Sequence, residues 1–270
     1  MFFLVEMALT RSTYRLCPLV AATSLTCFVV GLSTLAQTKP DQRSGLSPQQ
    51  APPLRPFHQI VFSHGSRTIK EVALTFDACA TRQPSGYDER VTQILLETQT
   101  PATIFLGGKW MQEHPEQTKL LASTPLFEIG DHSFLHPHMR EASDERIRRE
   151  LRRTQDVMYT LTGKKPSLFR PPYGECDDRI VRIAAEMGLA TVEYDLPSGD
   201  PSPEATKEKL IEYVTTMARS GSIIVMHING RGWHTAEALP DIIARLRKRG
   251  FVFVTVTQLL QHSSPATEQK

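Results

Sequence analysis

The chain has 270 residues and balances 31 Lys and Arg against 29 Asp and Glu, a formal charge of +2. Setting aside Glu6, Arg11 and Arg15 of the N-terminal segment leaves about +1, which excludes the basic footprint by which a domain holds nucleic acid. The roughly 230 residues beyond that segment suffice for one sizeable core, as in a single α/β enzyme domain, and no internal repeat divides them.

Residues 1–36 carry Arg11 and Arg15 followed by an apolar stretch from Leu16 to Leu35, broken by Pro18, Thr23, Ser24 and Thr26. This is the pattern of a secretory signal with a small-residue exit near Thr34-Leu35-Ala36, and its length also permits an uncleaved anchor. Met7 offers an alternative start, and Cys27 lacks the preceding small residues that lipoprotein processing needs. An exported protein is expected, periplasmic or secreted, meeting a membrane only through this segment. Gln37 to Pro56 is rich in Pro, Gln and Ser, a composition that cannot bury enough apolar surface to order itself. Residues 37–66 are therefore read as a linker and lead-in, 67–262 as the folded domain and 263–270 as a polar tail.

Three apolar runs in that domain each end in a polar residue. Val72-Ala73-Leu74-Thr75-Phe76 runs into Asp77, Leu168-Phe169 into Arg170-Pro171-Pro172-Tyr173-Gly174, and Ser222-Ile223-Ile224-Val225-Met226 into His227. Such runs, separated by helical patterns, predict strands buried on both faces, as in parallel sheets and α/β barrels. Polar residues at the ends of such strands are candidates for chemistry. Between the first two runs, Gly130-Asp131-His132-Ser133-Phe134-Leu135-His136 sets two imidazoles four residues apart, able to face one metal ion if the segment turns like a helix. The charged run Glu141 to Arg153 contains Ile147 and Leu151, which continue at helical spacing to Met158 and Leu161 behind Ser143 as a cap. That spacing predicts a solvated amphipathic helix rather than a basic patch. Each candidate also has a plain structural use, Asp77 as a turn cap, Arg170 as an ion-pair partner and His227 as a hydrogen-bonded core histidine; their joint order outweighs these.

The succession of Thr75-Phe76-Asp77, Asp131-His132-Ser133-Phe134-Leu135-His136, Arg170-Pro171-Pro172-Tyr173-Gly174 and Ile223-Ile224-Val225-Met226-His227 resembles the catalytic motifs of the polysaccharide deacetylase family, the NodB-homology or carbohydrate esterase family 4 domain. The likeness covers roughly residues 70 to 262 and includes Phe105-Leu106-Gly107-Gly108-Lys109-Trp110. The resemblance implies an α/β fold of the distorted (β/α) barrel type. It implies hydrolytic removal of acetyl groups from N-acetylglucosamine units of a polysaccharide such as peptidoglycan or a chitin-like polymer. It further implies a divalent metal on His132 and His136, with zinc the expected ion on imidazole ligands. Asp77 is then the general base, His227 the general acid, and Arg170 the bidentate partner that holds Asp77 ionised. The backbone N–H of Tyr173 is the expected oxyanion donor. A glycan substrate and a monomeric protein complete the expectation.

Two departures from the family pattern bear on the site. The second aspartate of the first motif, the third protein ligand in the family, is Ala78 here. Asp88 from the adjoining loop is the first candidate to replace it, with the Cys79 thiolate, Asp77 itself or extra waters as alternatives. The fourth motif, usually with tryptophans beside an aspartate, reads Glu193-Tyr194-Asp195-Leu196-Pro197-Ser198-Gly199-Asp200. Asp200 is expected to steer His227, with Asp195 the alternative. Trp233 is a candidate either for stacking on a sugar face or for core packing. Convergence of the motifs on one site would bring Cys79 and Cys176 together, and a disulfide is expected between them in an exported protein, the alternatives being inert thiols or Cys79 on the metal. The altered ligand set also keeps open a glycan-binding protein without activity, and a related hydrolase of non-sugar C–N bonds.

Overall fold

The computed structural model describes residues 61–80 and 85–263. The expected signal or anchor over 1–36, the linker as far as residue 60 and the tail from residue 264 lie outside the described residues. Among those described, no helix is long and apolar enough to cross a membrane.

Among the described residues nine strands form one sheet: β1 (Val61–Phe62), β2 (Glu71–Ala78), β3 (Ala102–Leu106), β4 (Phe127–Asp131), β5 (Leu168–Phe169), β6 (Ala190–Val192), β7 (Leu196–Pro197), β8 (Ser222–His227) and β9 (Val252–Phe253). Their order is β1-β6-β5-β4-β3-β2-β8-β7, with β9 paired to the start of β2, and every ladder is parallel. The sheet does not stay open. Just past β1, His64 makes an antiparallel bridge with Ser222, and the Gly65 N–H donates to the Gly221 carbonyl at 2.7 Å. This seam curls the sheet into a distorted (β/α) barrel.

The helices follow from the connections that parallel strands require. They are α1 (Glu89–Glu97), α2 (Gly108–Glu113), α3 (Pro115–Ser123), α4 (Asp144–Thr162), α5 (Asp178–Glu186), α6 (Lys207–Met217), α7 (Thr235–Lys248) and α8 (Val256–Ser263). The longest, α4, starts where Ser143 Oγ accepts the Arg146 N–H at 3.2 Å and stops at Gly163, whose φ of 69° closes the last turn without a Cβ penalty. It buries Ile147, Leu151 and Met158, and with them Glu150.

Strand β2 sets the layers by its two-residue alternation. Val72, Leu74, Phe76 and Ala78 join the larger apolar cluster, which also holds Leu95 of α1 and Leu239 of α7. Ala73 belongs instead to the cluster inside the barrel, with Phe105 and Ile223. Thr75, Asp77 and Cys79 continue the inward series and carry it from apolar packing to polar groups at the strand's C-terminal end.

Candidate active site

The parallel register brings the ends of five strands together. Asp77 stands opposite His227 across β2 and β8, and Asp131 at the end of β4 stands opposite both Leu106 of β3 and Phe169 of β5. Asp77, His132, His136, Tyr173 and His227 therefore line one cleft of about 240 Å³, together with Cys79.

Asp77 is buried against an equally buried guanidinium. Arg170 Nη1 donates to Asp77 Oδ1 at 2.8 Å and to Thr75 Oγ1 at 2.8 Å, while Nη2 reaches the Glu193 carbonyl at 3.5 Å. The pair is thus single-pronged, not bidentate, because one nitrogen serves both β2 oxygens and the other is turned toward β6. The guanidinium also lies 4.1 Å from the Phe105 ring centroid, a cation–π contact that fixes its plane. Burial pushes the Asp77 carboxyl up, but Arg170, His132 and His227 together outweigh it and hold the group below its ordinary value.

The two histidines sit on a bent loop rather than a helical turn. Ser133 and His136 have φ of 61° and 57°, in the left-handed region, and these bends set the rings 4.9 Å apart. Such conformations cost about 1–3 kcal/mol each and persist where surrounding contacts over-determine them. Here Asp131 Oδ1 accepts the Ser133 N–H at 2.7 Å, and Glu150 of α4 accepts the N–H groups of Phe134 and Leu135 at 3.1 and 2.7 Å. Gly108 adds room: a Cβ there would lie 2.2 Å from the Phe134 ring. Tyr173, with φ of 61°, packs edge-on to His136 at 4.4 Å and stacks flat on His138 at 4.2 Å.

His132 Nδ1 lies 2.8 Å from the Arg170 carbonyl, an atom that only accepts, so Nδ1 carries the proton and Nε2 presents a lone pair 3.7 Å from Asp77 Oδ2. Burial lowers the His132 pKa, and burial followed by the neighbouring His132 takes His136 down to about 3. Both rings are therefore neutral near pH 7, the state that binds metal.

His227 is held by Asp200, which is fully buried. Asp200 Oδ1 is 2.9 Å from His227 Nδ1, and Oδ2 accepts the His227 N–H and the Thr235 hydroxyl, each at 2.7 Å. Burial would lower the His227 pKa, but the charge and hydrogen bond of Asp200 outweigh it, and the net shift is upward. Asp195 is remote from this pair, anchoring Arg67 at 2.7 Å and the Ile223 N–H at 2.9 Å near the start of β8.

Two further expectations are corrected and one alternative is narrowed. Asp88 is not brought to the histidines: it caps α1 by accepting the Arg90 N–H at 3.2 Å and is gripped by the Arg90 guanidinium at 3.1 Å. Cys79 and Cys176 are not bridged. Cys79 Sγ faces Asn229 Nδ2 at 3.4 Å, whereas Cys176 lies beside the Asp177 carbonyl at 3.9 Å with its thiol pushed up to about 12, chiefly by burial. Trp233 is 43% exposed, which removes it from the core, and its backbone N–H donates to the Asp200 carbonyl at 2.8 Å.

Of the candidates for a third ligand, only Cys79 joins the histidines in a cluster of ligand-type atoms among the described residues. Donor atoms of Cys79, His132 and His136 lie within 4.8 Å of one another. His136 Nδ1 is buried without a hydrogen-bond partner, a second sign that this corner is incomplete as a purely protein environment. The donors present fit a divalent cation.

A family model described as polysaccharide deacetylase matches residues 64–192. The chain is 31% identical over 196 residues to a peptidoglycan-N-acetylglucosamine deacetylase of Bacillus cereus, covering 72% of this chain and 89% of that protein. It is 31% identical over 180 residues to the uncharacterized protein YlxY of Bacillus subtilis, covering 66% of this chain but only 54% of YlxY. Among solved structures, BA3943 of Bacillus anthracis, described as a carbohydrate esterase family 4 pseudoenzyme, is 28% identical with a TM-score of 0.68, over 74% of this chain and 69% of that one.

Proposed function

From the premise that the chain belongs to the polysaccharide deacetylase family, we propose that it is a metal-dependent hydrolase acting on N-acetylated sugar units of an envelope polysaccharide, peptidoglycan or a chitin-like polymer. The observation that carries this is the assembly of a buried carboxylate, Asp77, two neutral imidazoles, His132 and His136, and a separate acid-type imidazole, His227, around one cleft. A carbohydrate-binding surface needs no such division of proton-accepting and proton-donating groups.

His132 and His136 would hold a divalent cation, zinc being favoured by the donor set. When bound, such an ion supplies Lewis acidity toward the acetyl carbonyl and makes a water a competent nucleophile near pH 7. Asp77 takes the proton of the attacking water at Oδ2, while Arg170 holds Oδ1 and keeps the carboxylate ionised. The Tyr173 N–H donates to the oxygen on which negative charge develops. His227, protonated and oriented by Asp200, passes its Nε2 proton to the departing sugar amine as the C–N bond breaks. Export through residues 1–36 would put this chemistry beside its polymer.

The test is acetate release from N-acetylglucosamine oligomers and from peptidoglycan, with zinc and with a chelator. Zinc-dependent release that disappears in both His132→Ala and Asp77→Asn supports the proposal. Ala78 and the likeness to a pseudoenzyme favour a second reading, a glycan-binding envelope protein. Binding of the same polymers without acetate release in any metal would establish that alternative.

A further inference from the structure

We infer that Cys79, as its thiolate, is the third protein ligand of the metal centre, giving two nitrogens and one sulfur in a chain that lacks an aspartate at position 78. The cation is the one invoked for the deacetylase role above, on which this assignment rests.

The alternation of β2 makes Cys79 available. Ala78 belongs to the apolar cluster behind the sheet, so a side chain there in this backbone is committed to core packing. Cys79, two residues beyond Asp77, returns to the inward face and lies 3% exposed at the lip of the cleft. Its sulfur has a donor already aimed at it. Asn229, just past β8, is buried, and its Nδ2 lies 2.7 Å from the Cys79 carbonyl and 3.4 Å from Cys79 Sγ. An amide N–H directed at sulfur orients its remaining lone pairs, as outer partners of metal ligands do. The side chain of Asn229 is thereby a positioning group for Cys79.

On binding, the thiol S–H and the cation become an S–metal bond with release of one proton, and the thiolate supplies the negative charge an aspartate would have brought. Three protein donors leave a position for water or substrate, as in catalytic zinc sites. Sulfur also alters the choice of metal: a thiolate with two imidazoles favours zinc and cobalt(II) and disfavours magnesium, calcium and manganese, which suit oxygen donors.

Cobalt(II) reports the bond directly. The full chain, stripped of metal and titrated with cobalt(II), is expected to develop near-ultraviolet thiolate-to-cobalt charge-transfer absorption that saturates at one ion per chain. Cys79→Asp should bind the ion without that absorption, and zinc should slow alkylation of Cys79 by iodoacetamide in the unaltered chain, read by mass spectrometry. Visible cobalt bands without charge transfer, and alkylation of Cys79 indifferent to zinc, would overturn the assignment while leaving a metal on the histidines. Failure to bind cobalt or zinc at all would overturn the metal-dependent reading together with it.

Discussion

Glu150 Oε2 accepts the backbone N–H of Leu135 at 2.7 Å, so a carboxylate on α4 holds the loop between the two cleft histidines. The same oxygen takes the Phe134 N–H at 3.1 Å, and Oε1 is satisfied by Arg146 Nε at 2.8 Å. Glu150→Ala removes the acceptor from two N–H groups in a loop that has two left-handed residues. The expected results are a zinc affinity lower by about 10–100-fold and a stability loss of about 1–3 kcal/mol. Chelator-competition titration and urea denaturation check them, and Glu150→Gln, which keeps a carbonyl acceptor, should show a smaller part of both effects.

The His227–Asp200 pair predicts an alkaline limit to activity. His227 has a raised pKa in the fold, so its contribution to stability is fully present below the unfolded value of about 6.5 and is lost as pH rises through the raised folded value. Its competence as a proton donor ends over the same upper range. Asp200→Asn keeps the shape but removes the charge, so the alkaline limb of kcat/KM should move to lower pH. A limb that stays in place would remove His227 from the role of acid.

Arg170 is 1% exposed, and its loss would leave the Asp77 carboxylate buried with its principal counter-charge gone. Arg170→Met is expected to cost about 3–5 kcal/mol at neutral pH by urea denaturation. Arg170→Lys retains charge but neither the planar guanidinium over Phe105 nor two separate nitrogens for Asp77 and Glu193, so it should recover only part of that loss.

Glu193 is a liability that no step of the proposed reaction uses. Its Oε1 is buried without a hydrogen-bond partner, and burial, with Asp77 adding and Arg170 opposing, takes its carboxyl up to about 7. An acid raised in the fold contributes stability that is fully present below its unfolded pKa and is lost as pH rises through the folded one. Glu193→Gln should therefore leave stability unchanged near about pH 4 and raise it by on the order of 2–3 kcal/mol near about pH 8. Equal melting shifts at both pH values would contradict this.

The parts legible in the sequence are those where a strand's hydrophobic run stops at a polar residue. Asp77 and His227 were marked in that way, and parallel pairing then set them opposite each other. Arg170 was marked too, but the way its guanidinium is shared between Thr75 and Asp77 depends on a contact between strands β2 and β5 that no local pattern encodes. Asp88 misled because it precedes Glu89 and a helix, and an aspartate there is consumed as an N-cap. Glu150 left a fainter signal: it falls at helical spacing between Ile147 and Thr154 on the buried face of α4, and a carboxylate on an apolar stripe must have a partner. Asn229 gave none, since its donation to Cys79 spans 150 residues.

The seam between residues 64–65 and 221–222 joins the start of the folded domain to the start of β8, far along the chain. Contacts so distant along the chain carry a loop-closure entropy that must be met before any pairing rewards it, so closure of the barrel is expected among the last and slowest folding events. Until then strands at the margins of the sheet offer unpaired backbone groups to other chains. A chain shortened past residue 66 would keep every side chain of the cleft yet lose β1 and the seam. Its failure should be seen as aggregation during refolding before it is seen as any defect in chemistry.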